Sequence, residues 1–178
     1  TVLKGGRPVD AQTLFMIGSI TKSMTSLVLA TEVDQGLLTW DTPVTDVLPM
    51  FALSDPEVTP RIRVRDLLNM TSGVAPYDMV SLLKDFSPVD MMHYVAGIPL
   101  LAQPGEEYHY NNLMVSLGGL AAAKASGEAN DDMLENTYFD LVQQRVFDPL
   151  NMTASTFDFD VAIANETGGG CDDSVGYF

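Results

Sequence analysis

The chain has 178 residues, 46% of them hydrophobic and 19% charged, the ordinary balance for one globular domain with a sizeable core. Nine Lys and Arg against 24 Asp and Glu leave a formal charge of −15, so nucleic acid and anionic membrane surfaces are disfavoured as partners by repulsion. The one cysteine, Cys171, excludes an internal disulfide and any zinc site built from several cysteines.

Taken in chain order, residues 1–18 read as a loop and one strand. Gly5-Gly6-Arg7-Pro8 is turn chemistry, and Leu14 to Ile17 is a short apolar run leading to Gly18. A helix is expected from Ser19, whose hydroxyl suits an N-terminal position. Met24, Leu27, Val28 and Thr31 recur at spacings of three and four and predict its buried stripe. Lys22, Thr25, Ser26, Thr31, Glu32 and Asp34 interrupt that apolar run, so it is no transmembrane segment. Gln35-Gly36-Leu37 reads as its stop.

Thr42-Pro43 opens a short helix that Pro49 ends, and Val64 to Met70 is the next helix candidate. Ser87-Pro88-Val89-Asp90 is a compact start signal for a helix to about Ala96, with Gly97 beyond it. Asn112 opens a helix through Leu113, Leu117, Leu120 and Ala121 that ends near Lys124 and Gly127. Asp131 to Phe147 predicts one more, before Pro149. About six helices and at most two or three strands are expected, less strand than a complete α/β enzyme should show.

Ser19-Ile20-Thr21-Lys22 sets a hydroxyl and an amine three residues apart, which on a helix puts both on one face. A serine hydroxyl is a weak nucleophile that needs a neighbouring base, and a lysine held partly out of water can serve. A helix N-terminus favours the developing negative charge. The spacing alone is common: roughly one such match arises by chance in a chain this long. Ser81-Leu82-Leu83-Lys84 repeats it, within a polar stretch, and reads as a solvated surface. Ser19 differs by standing at an apparent strand–Gly–helix junction.

Tyr110-Asn111-Asn112 precedes a helix, so Tyr110 and Asn112 can face one cleft. Tyr110 could relay a proton, and Asn112 could orient Lys22 and a substrate carbonyl. The plainer alternative is an asparagine helix cap beside a packed tyrosine. His93 and His109 are the only histidines and read as packed or solvated. There is no Gly-x-Ser-x-Gly elbow, no His-Glu-x-x-His pattern and no Gly-rich phosphate loop. Asp131-Asp132 and Asp172-Asp173 read as exposed acids.

On five ordered blocks the chain resembles the serine β-lactamase and penicillin-binding-protein superfamily, in its class C and esterase-like branch. Thr13 to Lys22 (TLFMIGSITK) resembles the nucleophile segment, and Gly36 to Val44 (GLLTWDTPV) the segment after it. Arg65 to Gly73 (RDLLNMTSG) resembles the "LLTHTSG" run, with Met70 where histidine is usual. Pro104-Gly105 to Asn112 resembles "PG…F.YSN". Asp148 to Met152 with Thr156-Phe157 resembles "PLGM…T.F", with Asn151 in place of glycine.

The resemblance implies Ser19 as the acylated nucleophile, Lys22 as its partner, Tyr110 as proton relay and Asn112 as the second motif's amide. It implies no metal or organic cofactor, and a small-molecule or peptide substrate with a carbonyl: an amide, β-lactam or ester. It also implies a periplasmic or secreted setting, although no signal-peptide pattern is present.

The family's third motif, Lys or His then Thr or Ser then Gly, is absent. Glu166-Thr167-Gly168 lacks the basic residue and comes too early. The expected fold is therefore mainly α, the helical region of the β-lactamase/transpeptidase-like α+β fold with most of the antiparallel sheet missing. Residues 1–178 would form a single partial domain: 1–18 leading to the nucleophile, 19–152 helical, and 153–178 starting the return to the sheet. A catalytically incompetent fragment, or a penicillin-recognition scaffold needing a complementing part, is the alternative to an active hydrolase. Helix faces left without their sheet would favour self-association.

Overall fold

The computed structural model describes residues 8, 10–11, 13–77, 86–127, 130–158 and 160–162. Five α-helices organise them: α1 (Thr21–Asp34), α2 (Val44–Val47), α3 (Pro88–Ala96), α4 (Asn112–Ala125) and α5 (Leu134–Val142). Short 3-10 turns precede α1 and α5, at Gly18–Ile20 and Asp131–Met133, and α5 runs on into a π-helical turn at Gln143–Phe147. The described residues are thus mainly α, as expected.

The strand expected at Leu14 to Ile17 is not formed. Those residues have no regular structure, and the isolated bridges between described residues join Pro43 with Arg63 and Val74 with Leu100. A strand exists through its ladder, and no described neighbour supplies one here.

α4 is the centre of the fold. Ten of its residues, from Leu113 to Ala123, are buried, so it is apolar nearly all round, as a core helix must be. α1 and α5 both pack against it. Small residues make the close approach possible. A Cβ on Gly118 would lie 3.2 Å from Leu29 Cδ1, and one on Gly119 would lie 2.9 Å from the Tyr138 ring. Tyr138 cannot easily yield, because its hydroxyl is tied to Thr25 Oγ1 of α1 at 2.7 Å. Burial raises the pKa of that hydroxyl, against a smaller lowering by the Thr25 hydrogen bond. Gly119→Val should therefore destabilise the chain by about 1–3 kcal/mol, the range for overpacking a dense core. Urea unfolding of the two proteins measures it.

α1 buries Thr25, Val28, Leu29 and Glu32; of the expected stripe, Val28 is buried and Met24 packs half-buried against the core, while Thr31 is only half-buried. The buried face is turned by about one residue, since 25, 28, 29 and 32 keep helical spacing. Leu27 is left exposed. The turn is dictated from outside the helix, by Tyr138 at Thr25 and by Gly118 under Leu29.

α3 forms where its start signal stands. Ser87 Oγ accepts from the Asp90 backbone N–H at 3.1 Å and donates to Asp90 Oδ2 at 2.7 Å, Pro88 occupies the first turn, and Gly97 closes the helix. The expected helix at Val64 to Met70 is a single 3-10 turn, Val64–Leu67. It ends early because the backbone reverses at Met70, whose φ is 62°. Asn151 also has a left-handed φ, 53°. Asparagine tolerates that region nearly as well as glycine, which accounts for its place in the Pro149-Leu150-Asn151-Met152 turn.

Residues 40–44 and 62–65 are laced together. Val44 N–H donates to Ile62 O at 2.9 Å, Val64 N–H to Thr42 O at 3.0 Å, and Arg65 pairs with Asp41 at 2.7 Å. Gly73 fastens the next segment. Its φ is 80°, and a Cβ there would lie 2.1 Å from Ala102 O, so only glycine fits. Asp131 receives Lys124 Nζ at 2.8 Å, which gives this acid an ion pair within the fold. Among the described residues no helix is long and apolar enough to cross a membrane.

Candidate active site

Gly18 turns the chain into α1. Its φ is 50°, and open space surrounds the position of a Cβ, so backbone conformation alone favours glycine. The following 3-10 turn, held by Ile20 N–H to Ile17 O at 3.2 Å, carries Ser19 onto the surface just ahead of α1. The neighbouring apolar side chains are also outside: Phe15 is 66% exposed, Met16 64% and Ile20 62%.

Ser19 does not cap the helix, as its position suggested. No side-chain cap bond is made at this end of α1. The Ser19 Oγ instead accepts from Lys22 Nζ at 2.9 Å and shares a hydrogen bond with the Tyr110 hydroxyl at 2.5 Å. Lys22 Nζ also lies 4.8 Å from the centre of the Tyr110 ring, a cation–π distance. Three polar groups, Ser19 Oγ, Lys22 Nζ and the Tyr110 hydroxyl, therefore meet. Two lie three residues apart at the start of α1, and the third comes from 91 residues further along the chain.

The hydroxyls around them are otherwise employed. Ser23 Oγ donates to Ile20 O at 2.7 Å and Ser26 Oγ donates to Lys22 O at 2.9 Å, so neither competes for Lys22 Nζ.

Tyr110 ends the loop that leads into α4. Asn111, not Asn112, is the helix cap: its Oδ1 accepts from Met114 N–H at 3.0 Å. Asn112 is the first residue of α4, and its Oδ1 is shielded from solvent. The structure thus brings Ser19, Lys22 and Tyr110 into direct contact, with Asn112 two residues along the same segment. Sequence reasoning gives Asn111 no role of its own: its complete burial and its further bonds carry no signal beyond an asparagine ahead of an apolar helical run.

His109 Nε2 lies 3.2 Å from Glu107 Oε2 on the loop side, and His93 stands in the last turn of α3. The repeat of the spacing at Ser81 and Lys84 lies outside the described residues, as do Cys171, Glu166-Thr167-Gly168 and the segment from Asp172 to Phe178. Among the described residues no group of three His, Cys, Asp or Glu comes together to hold a metal ion.

The family model for beta-lactamase matches residues 1–172. The chain belongs to the beta-lactamase family. Esterase EstB of Burkholderia gladioli is 30% identical over 141 residues, 70% of this chain and 36% of the esterase. A beta-lactamase of Yersinia enterocolitica is 27% identical over 150 residues, 84% of this chain and 35% of that enzyme. Among solved structures, the D-amino acid amidase of Ochrobactrum anthropi SV3 superposes with a TM-score of 0.66 at 25% identity, over 84% of this chain and 41% of the amidase. The chain spans about a third of the length of these two curated relatives. The mainly helical described region is accordingly the helical part of a beta-lactamase-like fold.

Proposed function

We propose that this chain carries the acylation machinery of a serine hydrolase, with Ser19 as nucleophile, Lys22 as its base and Tyr110 as proton relay. The observation that supports it is the convergence of Lys22 Nζ and the Tyr110 hydroxyl on Ser19 Oγ, at 2.9 and 2.5 Å. A serine hydroxyl is inert unless a neighbour removes its proton, and these contacts are at the reach that general-base catalysis requires.

In this reading Ser19 Oγ attacks a substrate carbonyl carbon while its proton passes to Lys22 or Tyr110. The carbonyl's π electrons move to its oxygen. The hydrogen-bond chain then returns a proton to the leaving amine, alkoxide or lactam nitrogen as the C–N or C–O bond breaks. This leaves an ester on Ser19, which water cleaves in a second passage through the same groups. The start of α1 favours the negative charge that develops beside it. Asn112 orients Lys22 and the substrate carbonyl.

The substrate is a small molecule or peptide with an amide, ester or β-lactam carbonyl. The similar proteins are named for three such chemistries: an esterase, a beta-lactamase and an amidase. The test is a panel of one chromogenic ester, one chromogenic cephalosporin and one D-amino acid amide. Turnover of at least one, reduced about 10⁴-fold or more in Ser19→Ala, is expected. Equal turnover by the parent and Ser19→Ala would remove Ser19 from the mechanism. A burst of one equivalent without steady turnover would point to a penicillin-recognition scaffold, and no reaction at all to an incompetent fragment.

A further inference from the structure

The residues on either side of Tyr110 are tied down. His109 N–H donates to Met70 O at 2.8 Å, and Asn111 N–H donates to Met70 Sδ at 3.4 Å. Both bonds end on the residue held at φ 62°, a backbone conformation that a methionine keeps only when its surroundings enforce it.

Asn111 is itself 0% exposed. Its Nδ2 donates to Val74 O and to Ala75 O, each at 3.3 Å, while Oδ1 takes the Met114 N–H. Both ends of the amide are thus engaged. The carbonyls it grips belong to the segment fastened through Gly73 and the Val74–Leu100 bridge.

Asn111 lies in extended backbone, φ −145° and ψ 111°. Successive side chains in such backbone leave on opposite sides. Turning the Asn111 amide into the core therefore turns Tyr110 outward, to Ser19. Capping alone does not call for this residue, since serine caps a helix equally well. What serine lacks is the reach and the N–H donors to hold Val74 and Ala75.

We infer that Asn111 is a positioning residue for the reaction proposed above: by anchoring to the Val74 and Ala75 carbonyls it sets the direction of Tyr110 and holds its hydroxyl on Ser19 Oγ. The inference rests on the reading of Ser19 as nucleophile and Tyr110 as relay.

Asn111→Ser keeps a cap and removes the two donors. Asn111→Asp keeps the cap acceptor and turns an oxygen toward two carbonyls. In crystal structures of both variants the Tyr110 hydroxyl should move by more than about 1 Å from Ser19 Oγ, a displacement of the size that costs reactivity heavily. With a fluorophosphonate probe, the maximal labelling rate at Ser19 should fall about tenfold or more while the half-saturating probe concentration stays unchanged. A merely structural role would lower the melting temperature without that split. The inference is overturned if both variants keep the Tyr110–Ser19 contact and label within about twofold of the parent. If the parent itself is not labelled at Ser19, the hydrolase reading fails, and the position of Tyr110 in the variant structures still decides what Asn111 does.

Discussion

Lys22→Ala should slow acylation of Ser19 by about 10²–10⁴-fold, the range for losing a positioned general base. Lys22 Nζ is 2.9 Å from the nucleophile oxygen, and Ser23 and Ser26 spend their hydroxyls on the backbone, so neither can take over. The fold should survive. Lys22 is not among the buried residues of α1, which are Thr25, Val28, Leu29 and Glu32. Stopped-flow labelling with a fluorophosphonate gives the rate, and a thermal melt checks the fold. Lys22→Arg should not restore activity, because a guanidinium stays protonated and cannot act as base. A Lys22→Ala variant that labels within about threefold of the parent would show that the amine's nearness to Ser19 is incidental.

The largest stability effect is expected at Arg145. Glu32 is 0% exposed in α1, and its Oε1 lies 3.4 Å from Arg145 Nη2 on the π-helical turn. Among the described residues, neither carboxylate oxygen accepts a hydrogen bond. The guanidinium is therefore the compensation for a charge taken out of water. Arg145→Met leaves that charge alone and should cost about 3–5 kcal/mol, whereas Glu32→Leu, which removes the charge as well, should be close to neutral or even stabilising. Urea unfolding of the two variants decides between them, and equal losses would mean that the pair is ordinary packing.

The same group makes stability depend on pH. Burial raises the Glu32 pKa, and Arg145 lowers it by less. A raised carboxyl pKa means that the folded chain holds the proton to higher pH than the unfolded chain. Its contribution is therefore intact below the ordinary carboxylate range and is lost as pH rises through the raised value. Glu32→Gln should flatten that fall, seen as unfolding free energy against pH just above the ordinary carboxylate range.

Local chemistry was legible in the sequence. Ser87, Pro88 and Asp90 mark the start of α3 because cap, φ and acid act within one turn, and the helix begins there. The proximity of Ser19 and Lys22 followed from helical spacing alone. The arrival of Tyr110 did not follow from spacing, and had only family resemblance behind it.

Features fixed by distant partners leave no local signature in the sequence. The run Leu14 to Ile17 looks like a strand, but strand formation depends on a neighbour. The face of α1 is chosen by Tyr138, 113 residues away from Thr25, which is why a threonine and a glutamate are buried while Leu27 is exposed. The Glu32–Arg145 pair joins equally distant segments, and no local pattern announces it. Asn151 in left-handed backbone is intelligible from residue type; Met70 is not, and it is held by its two bonds to the Tyr110 segment and by the Asn69 side chain bonded across it to Thr71.

The central claim is that the oxygen on which an amine and a phenol converge is the one that becomes acylated. The direct measurement is peptide mapping by mass spectrometry after exposure of this chain to a fluorophosphonate. One adduct on Ser19, absent in Ser19→Ala and slowed in Tyr110→Phe, is the result expected. An adduct on another serine, with Ser19 unmodified, would contradict it.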